Sequence, residues 1–448
     1  MRLALDFIYL LGFLLASPWL AYRAFRSGGW RDFPVRLGFL SPTAGVVWLH
    51  GSSVGEVRLL EPLIRLLEQH GAKLAISSHT VTGVHSAQRA YPDHFVFRFP
   101  LDLSFVQRRL LDKLDPRLII VVESDLWPNH LLAARRRGVP VAVVNARLSD
   151  RSFRLHRWSR IVPRALSGVA LVAAQTAEHA TRFRGLGVQA ERIVVTGNMK
   201  YDLTADSNES AQRSALRRRL GYADDACVII GGSLHPGEDE DLVAAFASLL
   251  TRQQAVRLIV VPRYPQSAAE VMQRIDRAGF APIARSAIDD NSDCSVGARD
   301  IVVVDTIGEL RKFYAAADIA FVGGSLYYRG SNKGGHNLME PAILGLPVLF
   351  GPHNFSFRET VADLLAADAG VLVRNRDDLA AALHHLVASS DARQDMGRRA
   401  RQVVLDGRGA SGRNFELLLP LLEAASGCST HPQQAKCRHQ PQTQAVNE

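Results

Sequence analysis

Short, largely apolar runs alternate with stretches of helical spacing, and the alternation passes through the chain twice. The first series is Val46–His50, Leu74–Ser78, Phe95–Phe99, Leu118–Val122, Val141–Val144, Leu171–Ala174 and Ile193–Thr196. Between its first two runs, Glu56 to Gln69 places Leu59, Leu60, Leu63, Leu66 and Leu67 on one helical face, and Gly71 stops it. A polar stretch, Gly197–Ser207, separates this from a second series: Cys227–Ile230, Arg257–Val261, Ile301–Val304, Ile319–Val322, Pro347–Phe350 and Gly370–Val373. Strands apolar on both faces, separated by helices, are the mark of parallel sheets covered on either side. The pattern predicts an α/β chain of two doubly wound halves joined near residue 205. A length of 448 residues also exceeds what one ordinary core holds.

The flanks read differently. Leu3 to Tyr22 is nearly continuous apolar sequence broken by Asp6 and Pro18, close to the ~20 residues that cross a bilayer. Arg23, Arg26, Arg31 and Arg36 follow, a bias that keeps the next domain cytoplasmic. Residues 1–26 are therefore expected to be a membrane anchor. A cleaved signal peptide fits less well, with Arg2 alone ahead of the apolar run and no A-x-A site; a plain core helix is the other reading. Beyond Gly427 the tail is polar and Gln-rich, and is expected to be disordered.

Charge is concentrated. From Arg31 to Arg164 there are 20 Lys and Arg against 11 Asp and Glu, an excess that equals the formal +9 of the whole chain. No nucleic-acid motif accompanies it, and a basic face beside a membrane segment points to anionic lipid headgroups. Arg151, Arg154, Arg157, Arg160 and Arg164 spread over a helix-like segment with Phe153 and Trp158, either as a solvated face or as a contact for phosphorylated lipid. The cysteines, Cys227, Cys294, Cys428 and Cys437, show neither C-x-x-C pairing nor zinc spacing, which excludes a disulfide framework and a structural metal of those kinds.

In open α/β sheets ligands bind beyond the carboxyl ends of the strands, so the residues after each run carry the function. Phe321 to Pro341, FVGGSLYYRGSNKGGHNLMEP, reads as strand, glycine-rich turn and helix start, an arrangement expected to offer unpaired backbone N–H groups to an anion. Gly51 to Gly55 fits the G-x-S-x-G nucleophile elbow of α/β-hydrolases, which would make Ser53 a nucleophile. Glu56 starts the following helix, where a carboxylate favours the helix dipole or takes a proton from a hydroxyl. Glu123 and Asp125 follow Val122. Lys200 lies at the junction of the halves, and Arg263 follows Val261 and Pro262; both suit a phosphate. Glu309 fits ribose hydroxyls or a helix start. Asp239-Glu240-Asp241 imitates a metal motif, although acids in a first helical turn need no metal. Neither G-x-G-x-x-G nor Walker A nor H-E-x-x-H occurs.

The ordered set WLHGSSVGE, ESDLWPN, NARLSDRSFR, GNMKYD, GGSLHPGE, VPRYPQ, DTIGEL, FVGGS and GGHNLMEPA resembles the 3-deoxy-D-manno-octulosonate (Kdo) transferases of lipid A and lipopolysaccharide biosynthesis, glycosyltransferase family 30. The resemblance runs from the apolar amino terminus to about residue 425. It implies a GT-B fold, two Rossmann-like domains facing across a cleft: an acceptor domain over 27–205 and a nucleotide-sugar donor domain over 206–426, with 427–448 as tail. It implies CMP-Kdo as donor, a lipid A precursor as acceptor, no metal or other cofactor, no nucleic acid, and a place on the cytoplasmic face of the inner membrane. By the same resemblance Glu56 matches the general base of an inverting single displacement, and Glu123 and Lys200 match positions of transition-state stabilisation. Pro262 and Arg263, Ile307, Gly308 and Glu309, and Asn337, Leu338, Met339 and Glu340 match the CMP-binding segments. HGSSVGE stands where the family more often has HAASVGE-like text, Tyr264 replaces a usual histidine, and the loop near Arg329 to Lys333 is longer than in many relatives. A catalytically silent nucleotide-sugar-binding membrane protein is the remaining alternative.

Overall fold

A computed structural model describes Asp6, Tyr9 and residues 33–41, 43–202, 209–250, 255–288, 296–330 and 334–427. The anchor expected over 1–26, apart from Asp6 and Tyr9, lies outside them, as do most of the expected tail and residues 331–333 of the long loop. Among the described residues no helix is long and apolar enough to cross a membrane.

The alternation folds into two separate parallel sheets. The first contains β1 (Val47–His50), β2 (Leu74–Ser78), β3 (Phe95–Arg98), β4 (Leu118–Val122), β5 (Val141–Ala146), β6 (Leu171–Ala174) and β7 (Ile193–Val195). Their order is β3-β2-β1-β4-β5-β6-β7. The second contains β8 (Cys227–Leu234), β9 (Val256–Pro262), β10 (Ala281–Ala284), β11 (Asp300–Val303), β12 (Ile319–Val322), β13 (Val348–Phe350) and β14 (Gly370–Leu372), ordered β10-β11-β9-β8-β12-β13-β14. The edge strand β10, APIA, escapes the sequence pattern because it is short, half-exposed and carries Pro282.

The central strands of each sheet are buried on both faces, as their unbroken apolar runs require, while the edge strands β7 and β10 are partly exposed. Along β1, Trp48 enters one core with Phe97, Phe99 and Val121, while Val47 and Leu49 enter the opposite core with Leu60, Leu63 and Ile64. Strand order reverses between β1 and β4 in the first sheet and between β8 and β12 in the second. These are the switch points where the connections diverge and open a crevice at the carboxyl ends.

The domain expectation needs one correction. Residues 203–407 form the second unit, but the chain from Arg408 onward returns to the first. The helix Ala410–Gly427 puts Leu418 and Leu422 into the core that holds Leu60 and Leu63. Its entry is fixed by Asp202, whose carboxylate accepts from the backbone N–H groups of Gly409 and Ser411 at 2.6 Å each. A helical pattern announces an apolar face but not which sheet will cover it, so sequence alone left this helix with its neighbours in the chain.

The start of the chain is also tied to the first unit. The Asp6 carboxylate is buried and accepts from the backbone N–H of Ser104 at 2.9 Å and from Asn129 Nδ2 at 3.1 Å.

Leu418→Ala is expected to destabilise the first unit by about 2–5 kcal/mol. All five tryptophans precede residue 203, so a tryptophan-detected urea transition reports that unit. An unshifted midpoint would show that the last helix is not part of its core.

Candidate active site

Glu56 occupies the first switch point through a short helix, Val54–Leu59, that begins directly after β1. Ser53 caps it: its Oγ accepts from the Glu56 N–H at 3.4 Å, and Glu56 Oε2 accepts from the Ser52 N–H at 2.7 Å. This reciprocal cap aims the carboxylate back at the loop rather than out along the helix. Gly51 makes room, since a Cβ there would lie 3.2 Å from the backbone of Glu56 and Val57. Ser53 itself is in ordinary extended backbone, φ −129° and ψ 170°, not the strained turn of a nucleophile elbow.

Burial pushes the Glu56 carboxyl up to about 7; the like charges of Glu123 and Asp125 push the same way, and the hydrogen bonds from Ser52 and Ser53 oppose them. Glu123 follows β4, buried, in the left-handed region at φ 60°. Its Oε2 meets Arg147 Nε at 2.9 Å and its Oε1 meets Lys200 Nζ at 3.7 Å. Lys200 is placed by Asn145, another left-handed residue at φ 49°, whose Oδ1 accepts from the neighbouring Met199 N–H at 2.9 Å. Two non-glycine residues with positive φ at adjacent strand ends are a cost that ordinary connections avoid.

Behind them, His50 is buried at the end of β1, its Nε2 2.7 Å from Asp125 Oδ2 and its Nδ1 2.9 Å from Ser77 Oγ. Trp48 Nε1 donates to the same Ser77 Oγ at 2.7 Å. Burial raises the Asp125 carboxyl, but the His50 hydrogen bond and charge outweigh it and hold the group below its ordinary range. The structure therefore brings Glu56, Glu123 and Lys200 into one cluster. It adds Arg147, Asn145, His50 and Asp125, whose motifs are visible in sequence but whose partners are not.

The second unit corrects one expectation outright. The N–H groups of the glycine-rich turn are already occupied. Glu238, fully buried, accepts from Gly324 at 2.7 Å, His235 at 2.9 Å, and Ser325 and Leu326 at 3.0 Å each. An internal carboxylate fills the nest in which an external anion was expected. Nothing local reveals this, because Glu238 follows β8 and the turn follows β12. Gly323 is needed for the fit, since a Cβ there would come within 2.8 Å of Glu238 Oε2.

The neighbouring motif acids are engaged too. Asp239 pairs with Arg274 at 2.7 Å, and Asp241 with Arg376 at 2.7 Å and with the Tyr327 hydroxyl.

The residues expected to hold a nucleotide follow consecutive strands of the second sheet. Arg263, after β9, is exposed, lies 5.4 Å over the Tyr264 ring, and pairs with no carboxylate among the described residues. Pro262 is the buried last residue of β9. After β11, Ile307 is 84% exposed and Gly308 turns at φ 87° with open space beside it. Glu309 is held by Arg285 Nε at 3.4 Å and by the Thr306 hydroxyl. After β12, Asn337 Oδ1 accepts from the Met339 N–H at 3.1 Å while its Nδ2 donates to Glu340 Oε1 at 3.2 Å. Leu338 and Met339 are wholly buried, so their side chains build the core and only their backbone faces the turn.

Sequence reading singled out neither histidine of this edge. His235 and His336 stack with parallel rings 5.2 Å apart, their Nε2 atoms at 3.0 Å. Burial first, then Arg263, His235 and Arg329, lowers His336 to about 4, so the pair sits uncharged in a basic setting.

Residues 31–203 match the family model of 3-deoxy-D-manno-octulosonic-acid transferase. The 3-deoxy-D-manno-octulosonic acid transferase of Haemophilus influenzae is 34% identical over 84% of this chain and 87% of its own, and that of Bordetella pertussis is 33% identical over 89% and 94%. Among solved structures, a UDP-GlcNAc 2-epimerase from Neisseria meningitidis bound to UDP-GlcNAc shares the fold at TM-score 0.56 and 15% identity, over 84% of this chain and 100% of that one. A glycosyltransferase from Rickettsia africae does so at TM-score 0.55 and 14% identity, over 86% and 100%. Both likenesses show the GT-B type of fold alone. With two parallel-sheet units and relatives that match along most of their length, the chain belongs to the 3-deoxy-D-manno-octulosonic acid (Kdo) transferase family of glycosyltransferases.

Proposed function

We propose that the chain transfers Kdo from CMP-Kdo to a hydroxyl of a lipid A precursor, by an inverting displacement in which Glu56 is the general base. The choice of base rests on one arrangement above the others: Glu56 opens the helix directly after β1, is held by the Ser52 and Ser53 cap beside Glu123, and burial and Glu123 raise its carboxyl to about 7. A base of that strength ionises at cellular pH and still holds a proton well. In the proposed step the acceptor hydroxyl gives its proton to Glu56 as its oxygen bonds the anomeric carbon of Kdo. The bond from that carbon to the CMP phosphate breaks, and CMP leaves with the electron pair.

Glu123, held between Arg147 and Lys200, is suited to offset positive charge on the sugar ring in the transition state. Lys200 and Arg147 bring two positive charges to that carboxylate. On the donor side Arg263 supplies a fork for the phosphate, with Asn337 and Glu340 at the following turn. A leaving group with one phosphate needs little more than such cations, so the displacement is proposed to run without metal. The basic first half of the chain suits an acceptor that is an anionic lipid, and the cytoplasmic face of the inner membrane is where the two substrates would meet.

Glu56→Gln is expected to lower kcat by about 10²–10⁴ in an assay of CMP release from CMP-Kdo with the lipid acceptor, while CMP binding stays near wild type. Activity close to wild type would remove Glu56 as the base and would favour a silent nucleotide-binding protein or another base.

A base must be ionised, so wild-type kcat/KM should rise with pH through about 7. Glu123→Gln removes one like charge and should move that limb to lower pH; an unmoved limb would show that the limb does not report Glu56. Stability runs in the opposite sense. A carboxyl raised in the folded state makes the fold less stable as pH climbs from its ordinary range through about 7. Glu56→Gln should therefore be at least as stable as wild type at pH 8, which separates lost chemistry from lost structure.

Full activity in excess chelator is the expected result for a metal-free displacement; loss that is restored by one divalent ion would overturn that part.

A further inference from the structure

The helix Asp150–Ser159 turns an apolar stripe away from the protein. Ser152, Phe153, His156 and Ser159 are partly covered, and Phe153 packs against the core around Trp48 and Val143. On the other side Leu155 is 61% and Trp158 84% exposed. Side chains three positions apart are neighbours on a helix, so the two form one patch. Arg151, Arg154 and Arg157 surround it, and Arg160 follows in the left-handed turn that ends the helix. All four are exposed and pair with no carboxylate among the described residues; Asp150, the acid of that helix, is taken by Arg182.

A merely solvated face has no use for a nearly bare indole. A protein partner would be expected to meet a tryptophan with a cavity and the arginines with placed carboxylates. Four unpaired arginines around a tryptophan and a leucine instead fit a surface that is negative at one depth and apolar just below it. We propose that this helix face is a docking surface for an anionic bilayer, with Trp158 and Leu155 entering the boundary between headgroups and acyl chains and the arginines contacting lipid phosphates. Tryptophan favours that depth because its ring is apolar and its N–H is not. The helix starts just beyond β5 and Arg147, the residue that pairs with Glu123. Docking would thus set the carboxyl edge of the first sheet against the lipid. A chain without transferase activity would present the same face, so failure of one idea leaves the other standing.

The test uses the full chain and vesicles of phosphatidylglycerol and phosphatidylethanolamine carrying brominated acyl chains. Subtracting the emission of Trp158→Phe from that of wild type isolates the signal of Trp158. With vesicles this signal should move to the blue and lose roughly half its intensity or more to the bromines. Arg154→Gln with Arg157→Gln should raise the lipid needed for that change by roughly twentyfold or more, at about fivefold per arginine. Leu155→Ser should weaken it further, and neutral phosphatidylcholine should give little.

An unmoved Trp158 signal in a chain that still sediments with the vesicles would overturn the proposal, because attachment would then lie elsewhere. Shielding of Trp158 that grows with protein concentration in the absence of lipid would also overturn it, in favour of a second copy of the chain. Equal quenching on neutral vesicles would remove the role of the arginines.

Discussion

Parallel sheets buried on both faces constrain everything else in this protein. Strands such as Leu118–Val122 and Leu171–Ala174 are apolar and covered throughout, which leaves no room for polar chemistry along them. It is pushed to the strand ends, where backbone groups run out of sheet partners and must find others. The reversal of strand order opens a space at β1 and β4 in one unit and at β8 and β12 in the other. The carboxylate cluster and the stacked histidines occupy these two places.

Both crevices are built with costly parts. In the first, Glu123 and Asn145 hold positive φ without being glycine, and three acids, Glu56, Glu123 and Asp125, share a partly dry space. Arg147 and Lys200 neutralise Glu123, and His50 engages Asp125. Glu56 is left with hydrogen bonds but no cation among the described residues, and it is the group whose pKa rises. In the second, Ser233 is also left-handed at φ 56°, and Glu238 is buried as a carboxylate whose partners are four backbone N–H groups. That acid shapes the turn rather than serving a ligand, and Arg263, after β9, is an exposed cation at another strand end.

Much of this was legible in the sequence. The apolar runs reported thirteen of the fourteen strands among the described residues, most of them because a strand buried on two faces leaves an unbroken apolar mark. Glu56 stood out because it opens a helix directly after the first strand. Its capping by Ser53 came from the structure. The missing strand, Ala281–Ala284, is half-exposed and proline-bearing, and leaves no such mark. Residues 410–426 were placed with the second domain, since nothing in their sequence shows which sheet an apolar helix face will cover.

The sequence by itself determined two parallel α/β units and the family, the latter through the order of its motifs. These are carried by residue type and spacing, which are local and survive without coordinates. Tertiary structure alone decided that Glu238 fills the glycine-rich turn, that Arg147 and Lys200 converge on Glu123, and that the side chains of Leu338 and Met339 are core. It also decided that Trp158 faces outward while Phe153, on the same helix, faces in. Each of these depends on which distant segments share a space, and charge, burial and hydrogen bonding are properties of that space, not of the residue alone.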